Sequence, residues 1–115
     1  MCAVNDGGRR HSYSSCGPCS RAPKPDLSAR VPFPSVWRPG LPFSGTSAAA
    51  PQAAGLAALV WGGAPGLTAD QVRQVLAVSA QRPKAGHCGE IGHGVAHLPK
   101  IEFKKSPLDT TKQAR

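Results

Sequence analysis

The sequence predicts a fold of two helices, at about residues 47–61 and 69–81, together with short extended segments. Three observations lead to this prediction. The first two are an alanine-rich apolar run and, after it, an amphipathic run with helical spacing. The third is a proline-rich stretch at residues 18–42, which reads as loops. Within that stretch we expect short extended pieces near Leu27, Val36 and Trp37.

The first predicted helix begins at a turn formed by Gly45 and Thr46. Thr46 is a candidate N-cap, because a threonine side chain accepts hydrogen bonds from the free N–H groups of a first helical turn. Pro51 suits that turn, where a missing N–H costs little. The helix is apolar on all sides, so we expect it to be buried. Gly62 and Gly63 are expected to end it in the left-handed conformation.

The second predicted helix has its own start signal. Thr68 and Gln71 have the spacing of a capping box, in which each side chain satisfies the other residue's backbone N–H. An apolar stripe follows at helical spacing and consists of Val72, Val75, Leu76 and Ala80. We expect the Arg82-Pro83 step to end the helix. The stripe is expected to lie on a sheet beside the first helix.

Ser47, at the start of the first helix, is the candidate catalytic residue. A serine hydroxyl becomes a good nucleophile when a base removes its proton, and the resulting oxyanion needs hydrogen-bond donors. At a helix N-terminus the backbone N–H groups are unpaired and the helix dipole favours negative charge. We therefore expect the N–H of Ser47 to act as an oxyanion donor.

The segment around this serine matches a known pattern. Residues 45–51, Gly-Thr-Ser-Ala-Ala-Ala-Pro, resemble the Gly-Thr-Ser-x-Ala-x-Pro nucleophile segment of the subtilisin-like serine proteases. The resemblance implies an α/β fold, in which a mostly parallel sheet carries helices on both faces and of which this chain holds the last strands and two helices. It also implies a serine endopeptidase with Ser47 as nucleophile, a polypeptide substrate, and no metal or cofactor. Ala48 and Gln52 replace a frequent methionine and histidine, neither of which is catalytic.

Other segments extend the resemblance to residues 3–101. The matching segments are the strand, turn and Ser-Ser-x-Gly-Pro loop at 3–18, Lys-Pro-Asp-x-x-Ala at 24–29, the turn at 65–72, and Gly-His-Gly at 92–94. Arg30 and Val31 replace the Pro-Gly that the family carries next, so an altered loop is expected there. We assign residues 1–101 to the C-terminal part of a subtilisin-like peptidase domain and 102–115 to a flexible basic tail.

The catalytic partners of the serine are not found ahead of it. The family's Asp-[Ser/Thr]-Gly and His-Gly-Thr motifs and its oxyanion asparagine lie upstream of the nucleophile, and none occurs here before Ser47. The missing N-terminal part of the catalytic domain is therefore the expected partner, and the isolated chain is expected to be marginally stable or partly disordered. An inactive remnant of the family is the alternative function.

A triad within this chain is disfavoured. Ser47, Asp70 and His93 follow the chain order of α/β-hydrolases, but Ala49 replaces the second glycine of their Gly-x-Ser-x-Gly elbow. Asp70 is better explained as a first-turn helix residue that interacts with the helix dipole. His93 is better explained as a loop residue near a closing strand.

The cysteines raise a third class of function, a small redox or zinc-binding module, which ranks last. Cys16 and Cys19 have thioredoxin spacing, but the proline-rich sequence after them cannot continue as a helix, so we favour a loop. A zinc site formed by Cys16, Cys19, Cys88 and a histidine is one open hypothesis. A Cys16–Cys19 or Cys19–Cys88 disulfide in an exported parent protein is the other.

Charge and hydropathy limit the remaining classes. The formal net charge is +8, but the basic residues are scattered and no nucleic-acid-binding motif occurs, so we expect no nucleic-acid partner. No apolar run approaches the roughly 20 residues of a membrane span, so no membrane partner is expected. No signal peptide is visible at Met1, because residues 2–10 already match internal family sequence. The family leads us to expect a secreted parent protein.

Overall fold

The structure of the protein is a computed structural model, which describes residues 1–17, 21–37, 39–82 and 86–98. The described residues form two short strands and two helices. In chain order the elements are β1 (Cys2–Val4), β2 (Ser28–Arg30), α1 (Thr46–Gly63) and α2 (Ala69–Ser79). The predicted α/β class, with a parallel sheet and two helices, is confirmed. The predicted basic tail at 102–115 lies outside the described residues.

β2 is the centre of a narrow sheet. On one side β1 pairs with it in parallel, with Ala3 opposite Ala29. On the other side Ser28 forms a parallel bridge with Val95, and its N–H donates to the carbonyl oxygen of Gly94 at 2.9 Å. The segments before and after the two helices therefore meet in one sheet.

The two predicted extended pieces have different outcomes. The piece near Leu27 is confirmed, because Leu27 leads directly into β2. The piece near Val36 and Trp37 is wrong, because both residues lie in a turn with side chains that are 86% and 87% exposed. Phe33 and Phe43 pair instead as an antiparallel bridge, with N···O distances of 2.7 and 3.1 Å. That bridge closes the loop between them and places Val36 and Trp37 at its tip.

Both ends of α1 differ from the prediction. The N-cap is Gly45, and the predicted cap Thr46 is already the first helical residue and makes no capping bond. At the other end the helix includes Gly62 and Gly63, neither of which is left-handed. Ala64 caps the helix outside the helical conformation, with φ −143° and ψ 73°, since it precedes Pro65 and proline disfavours the helical conformation in the residue before it. The predicted glycine stop is therefore wrong.

Burial of α1 is one-sided. Two clusters hold it to the rest of the chain: the first consists of Ala48, Ala49, Ala3, Ala29 and Val31, and the second of Val60, Leu27, Val72, Leu76 and Ala80. On the remaining surface, however, Leu59 and Trp61 are 47% and 43% exposed. The prediction that α1 is buried on all sides is wrong for this chain, because β1, β2 and α2 cover only one side of the helix.

α2 follows its sequence signals closely. Thr68 Oγ1 accepts the N–H of Gln71 at 3.2 Å and Gln71 Oε1 accepts the N–H of Thr68 at 2.8 Å, so the capping box is confirmed. The helix ends at Ser79, two residues before the predicted end, because Gln81 pairs with Val95 through backbone hydrogen bonds of 2.8 and 2.9 Å. In the apolar stripe Val72, Leu76 and Ala80 are buried and Val75 is half-buried, and the stripe packs on α1 and Leu27 rather than on the strands.

Among the described residues, neither helix combines the length and apolar character needed to cross a membrane.

Candidate active site

Ser47 lies in the first turn of α1, beside the carboxyl end of the sheet. The neighbouring residues Ala48 and Ala49 pack on the strands and on Val31, which directly follows β2. Open α/β folds hold their ligands outside the carboxyl ends of parallel strands. The side chain of Ser47 is exposed at this position. The packing of two alanines therefore presents the serine hydroxyl to solvent at the edge where such folds bind ligands.

Gly45 sets the direction in which the chain enters α1. Its φ is 85° and its ψ is 176°, a combination that is essentially restricted to glycine. Its carbonyl oxygen accepts the N–H groups of Ala48 at 3.0 Å and Ala49 at 3.2 Å. The glycine of the Gly-Thr-Ser segment is therefore required by backbone geometry, and its conformation determines where Ser47 begins the helix.

Replacing Gly45 by alanine should lower the free energy of unfolding by about 1–3 kcal/mol, because alanine is strained in this conformation. Gly55→Ala is the matched control. Gly55 lies inside α1 with open space around it, so alanine there should raise stability by about 1 kcal/mol. Urea denaturation followed by circular dichroism measures both changes. Equal effects of the two substitutions would show that the backbone conformation of Gly45 is not strained for alanine.

The backbone N–H of Ser47 is available to a ligand. It makes no hydrogen bond to any residue that the structure describes, whereas the next two N–H groups are bound to Gly45. It belongs to the first turn of an 18-residue helix, whose N-terminus carries a partial positive charge. This N–H can therefore stabilise negative charge on an atom bound in front of Ser47.

Gln52 ties the first turn of α1 to the sheet. Its side-chain amide Nε2 donates to the carbonyl oxygen of Arg30 at 2.8 Å and to that of Ala48 at 3.1 Å. From the sequence it was only a departure from the family's frequent histidine. The i to i−4 spacing from Ala48 indicates one of these bonds, but nothing local indicates the bond to Arg30, which lies 22 residues earlier.

A pair of stacked rings flanks the serine segment, and sequence reasoning did not identify it. The rings of His11 and Tyr13 are 5.0 Å apart and nearly parallel, with an angle of 8°. Tyr13 Oη lies 3.5 Å from Ser44 Oγ, and His11 Nε2 lies 3.3 Å from the carbonyl oxygen of Val31. Tyr13 is 31 residues from Ser44 and His11 is 20 residues from Val31, so only the fold places these rings beside the entry to α1.

The structure does not bring Asp70 or His93 to Ser47. Asp70 lies in the first turn of α2, beyond the far end of α1, and α1 itself is about 27 Å long. His93 donates its backbone N–H to the carbonyl oxygen of Asp26 at 2.8 Å, ahead of β2, whereas Ser47 lies near the other end of that strand. The positions of both residues agree with the helix-turn and loop roles favoured above.

The Lys-Pro-Asp motif supports the fold rather than the serine. Lys24 Nζ lies 2.7 Å from Asp26 Oδ2, and both side chains are almost half exposed, so this ion pair adds little stability. Partial burial raises the pKa of Asp26, but the hydrogen bond and charge of Lys24, with the charges of Arg73 and the N-terminus, lower it more. The side-chain carboxylate of Asp26 therefore stays charged, while the backbone carbonyl oxygen of the same residue accepts the N–H of His93.

Three of the four cysteines lie among the described residues. Cys2 is buried, whereas Cys16 and Cys88 are exposed, and all three are free thiols. Cys19 lies outside the described residues, so the two proposed disulfides and the zinc site that include it stay predictions. In the parts of the chain that the structure covers, no group of three or more histidine, cysteine or acidic side chains is placed to hold a metal ion.

Comparison with known proteins identifies the family. The model of the Subtilase family matches residues 2–94. The chain is also 48% identical over 54 residues to Mycosin-4 of Mycobacterium tuberculosis. That alignment covers 47% of this chain and 12% of Mycosin-4, so the chain spans only a small part of this relative. No solved structure matches the chain significantly. Because the family model covers well over half of its residues, the chain belongs to the subtilase family of subtilisin-like serine proteases.

Proposed function

We propose that the protein acts as a serine endopeptidase in which Ser47 is the nucleophile. The observation that carries this proposal is the position of Ser47 in the Gly-Thr-Ser segment of a subtilase, exposed at the start of α1 with an unpaired backbone N–H. The substrate is a polypeptide, and the residues involved need no metal or cofactor.

In this mechanism Ser47 Oγ attacks the carbonyl carbon of a peptide bond while a base takes its proton. The N–H of Ser47 donates a hydrogen bond to the oxyanion that forms, in line with the positive end of the helix dipole. The amine product then leaves, and water hydrolyses the acyl-enzyme. The base and the acid that orients it are the family's histidine and aspartate, which the motifs of this chain do not supply before Ser47.

The partner in this proposal is the N-terminal part of the catalytic domain. The uncovered side of α1 supports it, since a mostly apolar groove of about 480 Å³ runs along this side between the helix and the Phe33–Phe43 bridge. Its α1 lining includes Leu56 and Leu59. Exposed apolar patches of this kind mark surfaces that pack against another polypeptide. The same side carries Gln52, next to the first turn that holds Ser47.

Labelling with a fluorophosphonate tests the proposal, because this reagent reacts with a serine only when a base has activated it. Two preparations are compared: the 115-residue chain, and the chain extended by the in-frame sequence encoded upstream of Met1. We expect an adduct on Ser47 in the extended protein and none in the shorter chain, with the site assigned by tandem mass spectrometry. An adduct on another serine, or none in a folded extended protein, would overturn the proposal.

A catalytically inactive remnant of the family is the second candidate. It is favoured by one observation: in the described part of the chain, no histidine or carboxylate is hydrogen-bonded to Ser47. A remnant would keep the nucleophile segment for its structural value, since Ala48 and Ala49 anchor α1 to the sheet. The two candidates differ in the labelling experiment, because a remnant leaves Ser47 unmodified in both preparations.

A further inference from the structure

We propose that Cys16 and Cys88 form a thiol-disulfide site, which joins the loop after β1 to the turn at residues 88–92. Both thiols are free and exposed, so a soluble disulfide reagent can reach them. Both residues lie outside the Ser47 segment in sequence, and the site does not depend on the proposed peptidase activity.

The juxtaposition comes from the two glycines that follow these cysteines. The N–H of Gly17 donates to the carbonyl oxygen of Gly89 at 2.8 Å. A methyl group added to Gly89 would lie 3.5 Å from the oxygen and 3.9 Å from the Cα of Gly17, so the two backbones are in contact. Cys16 and Cys88 each directly precede one of these glycines, so the contact holds the two cysteines on neighbouring segments. A disulfide requires Cα atoms about 4.4–6.8 Å apart, and this is the separation that the proposal assigns to the pair.

Both segments are held in place by their own contacts. A side chain on Gly17 would overlap the carbonyl oxygen of Lys24, so only glycine allows this close approach. On the other side Cys88 and Gly92 exchange backbone hydrogen bonds of 2.8 and 2.9 Å, and Cys88 Sγ accepts the N–H of Glu90 at 3.4 Å. The two thiols are therefore carried by segments that are already fixed relative to each other, which lowers the entropy cost of joining them.

The chemistry is thiol-disulfide exchange with a small disulfide of the glutathione type. One cysteine thiolate attacks this reagent, forms a mixed disulfide and releases one reagent thiolate. The second cysteine thiolate then attacks the protein sulfur of the mixed disulfide and releases the other reagent thiolate. The two cysteine thiols lose their protons to water and two electrons to the reagent, which is reduced to two thiols. The product bridge would enclose the chain from β2 to α2.

The test equilibrates the full chain with oxidised and reduced glutathione, traps free thiols by alkylation and digests the protein with trypsin without reduction. We expect a disulfide-linked pair of peptides, residues 11–21 and 85–100. Adding urea should lower the yield of this pair at least about tenfold, because the proximity comes from the fold. No linked pair, or a yield that urea does not change, would overturn the proposal.

Variants assign the bridge, since peptide 11–21 also contains Cys19. The linked pair should disappear in Cys16→Ser and persist in Cys19→Ser. Persistence in Cys16→Ser would assign the link to Cys19 and overturn the proposal. Cys2→Ser is the matched control, because Cys2 is buried in β1 and its loss should leave the linked pair in place in the folded protein.

Discussion

Replacing Ser47 by alanine should lower peptide hydrolysis by the extended protein about 10⁶-fold, to the level left by substrate binding and oxyanion stabilisation alone. The reason is that alanine has no atom that can form the acyl-enzyme, whereas the backbone N–H at position 47 is unchanged. The fold should not change, because the side chain is exposed and makes no hydrogen bond to any described residue. Initial rates with a fluorogenic peptide and circular dichroism measure the two properties.

Ser44→Ala is the control for this prediction. Ser44 lies three residues earlier and is also exposed, and within the described part of the chain its side chain makes one hydrogen bond, with Tyr13 Oη at 3.5 Å. We expect this variant to keep most of the activity. Loss of activity in Ser44→Ala together with normal activity in Ser47→Ala would show that Ser47 is not the nucleophile and would refute the proposed mechanism.

Replacing Gly92 by alanine should lower the free energy of unfolding by more than about 4 kcal/mol, which is enough to unfold a small domain. Two effects combine at this residue. Its φ is 68°, where an L-residue is strained, and a methyl group there would overlap the carbonyl groups of Asp26 and Pro25. Neither neighbour can move aside easily, because Asp26 receives the backbone bond from His93 and Pro25 is buried. Urea denaturation and the soluble yield measure the loss.

Gly86→Ala separates the two effects. Gly86 also has a positive φ, 95°, but a methyl group there meets nothing within 4 Å. We expect backbone strain to lower the free energy of unfolding of this variant by only about 1–2 kcal/mol. If Gly92→Ala were no more destabilising than Gly86→Ala, the close contact between Gly92 and the Pro25-Asp26 segment would not be part of the fold.

The second helix shows how much local sequence can predict. The capping box of Thr68 and Gln71 uses atoms three residues apart, and the stripe of Val72 and Leu76 follows from helical periodicity. Both were therefore predictable. The end of α2 was not, because it depends on the pairing of Gln81 with Val95, a contact made across a loop.

The first helix shows where such prediction fails. Thr46 has the residue type of an N-cap, but Gly45 is the N-cap, one residue before the predicted position. The carbonyl oxygen of Gly45 accepts the first helical hydrogen bonds, and its positive φ directs the chain into the helix. Its uniform apolar composition predicted burial on every side, although Leu59 and Trp61 are exposed. Composition indicates what a helix can bury, whereas the number of elements packed around it decides what is buried.

The sequence by itself determined the family, the helical content and the identity of Ser47 as the candidate nucleophile, because these follow from residue types at fixed short spacings. Only the tertiary structure decided the surroundings of that serine. It placed Gln52 against Arg30, the stacked rings of His11 and Tyr13 beside Ser44, and Asp70 and His93 away from Ser47. The physical reason is that contacts between distant residues depend on how strands and helices pack, and no local spacing encodes that packing.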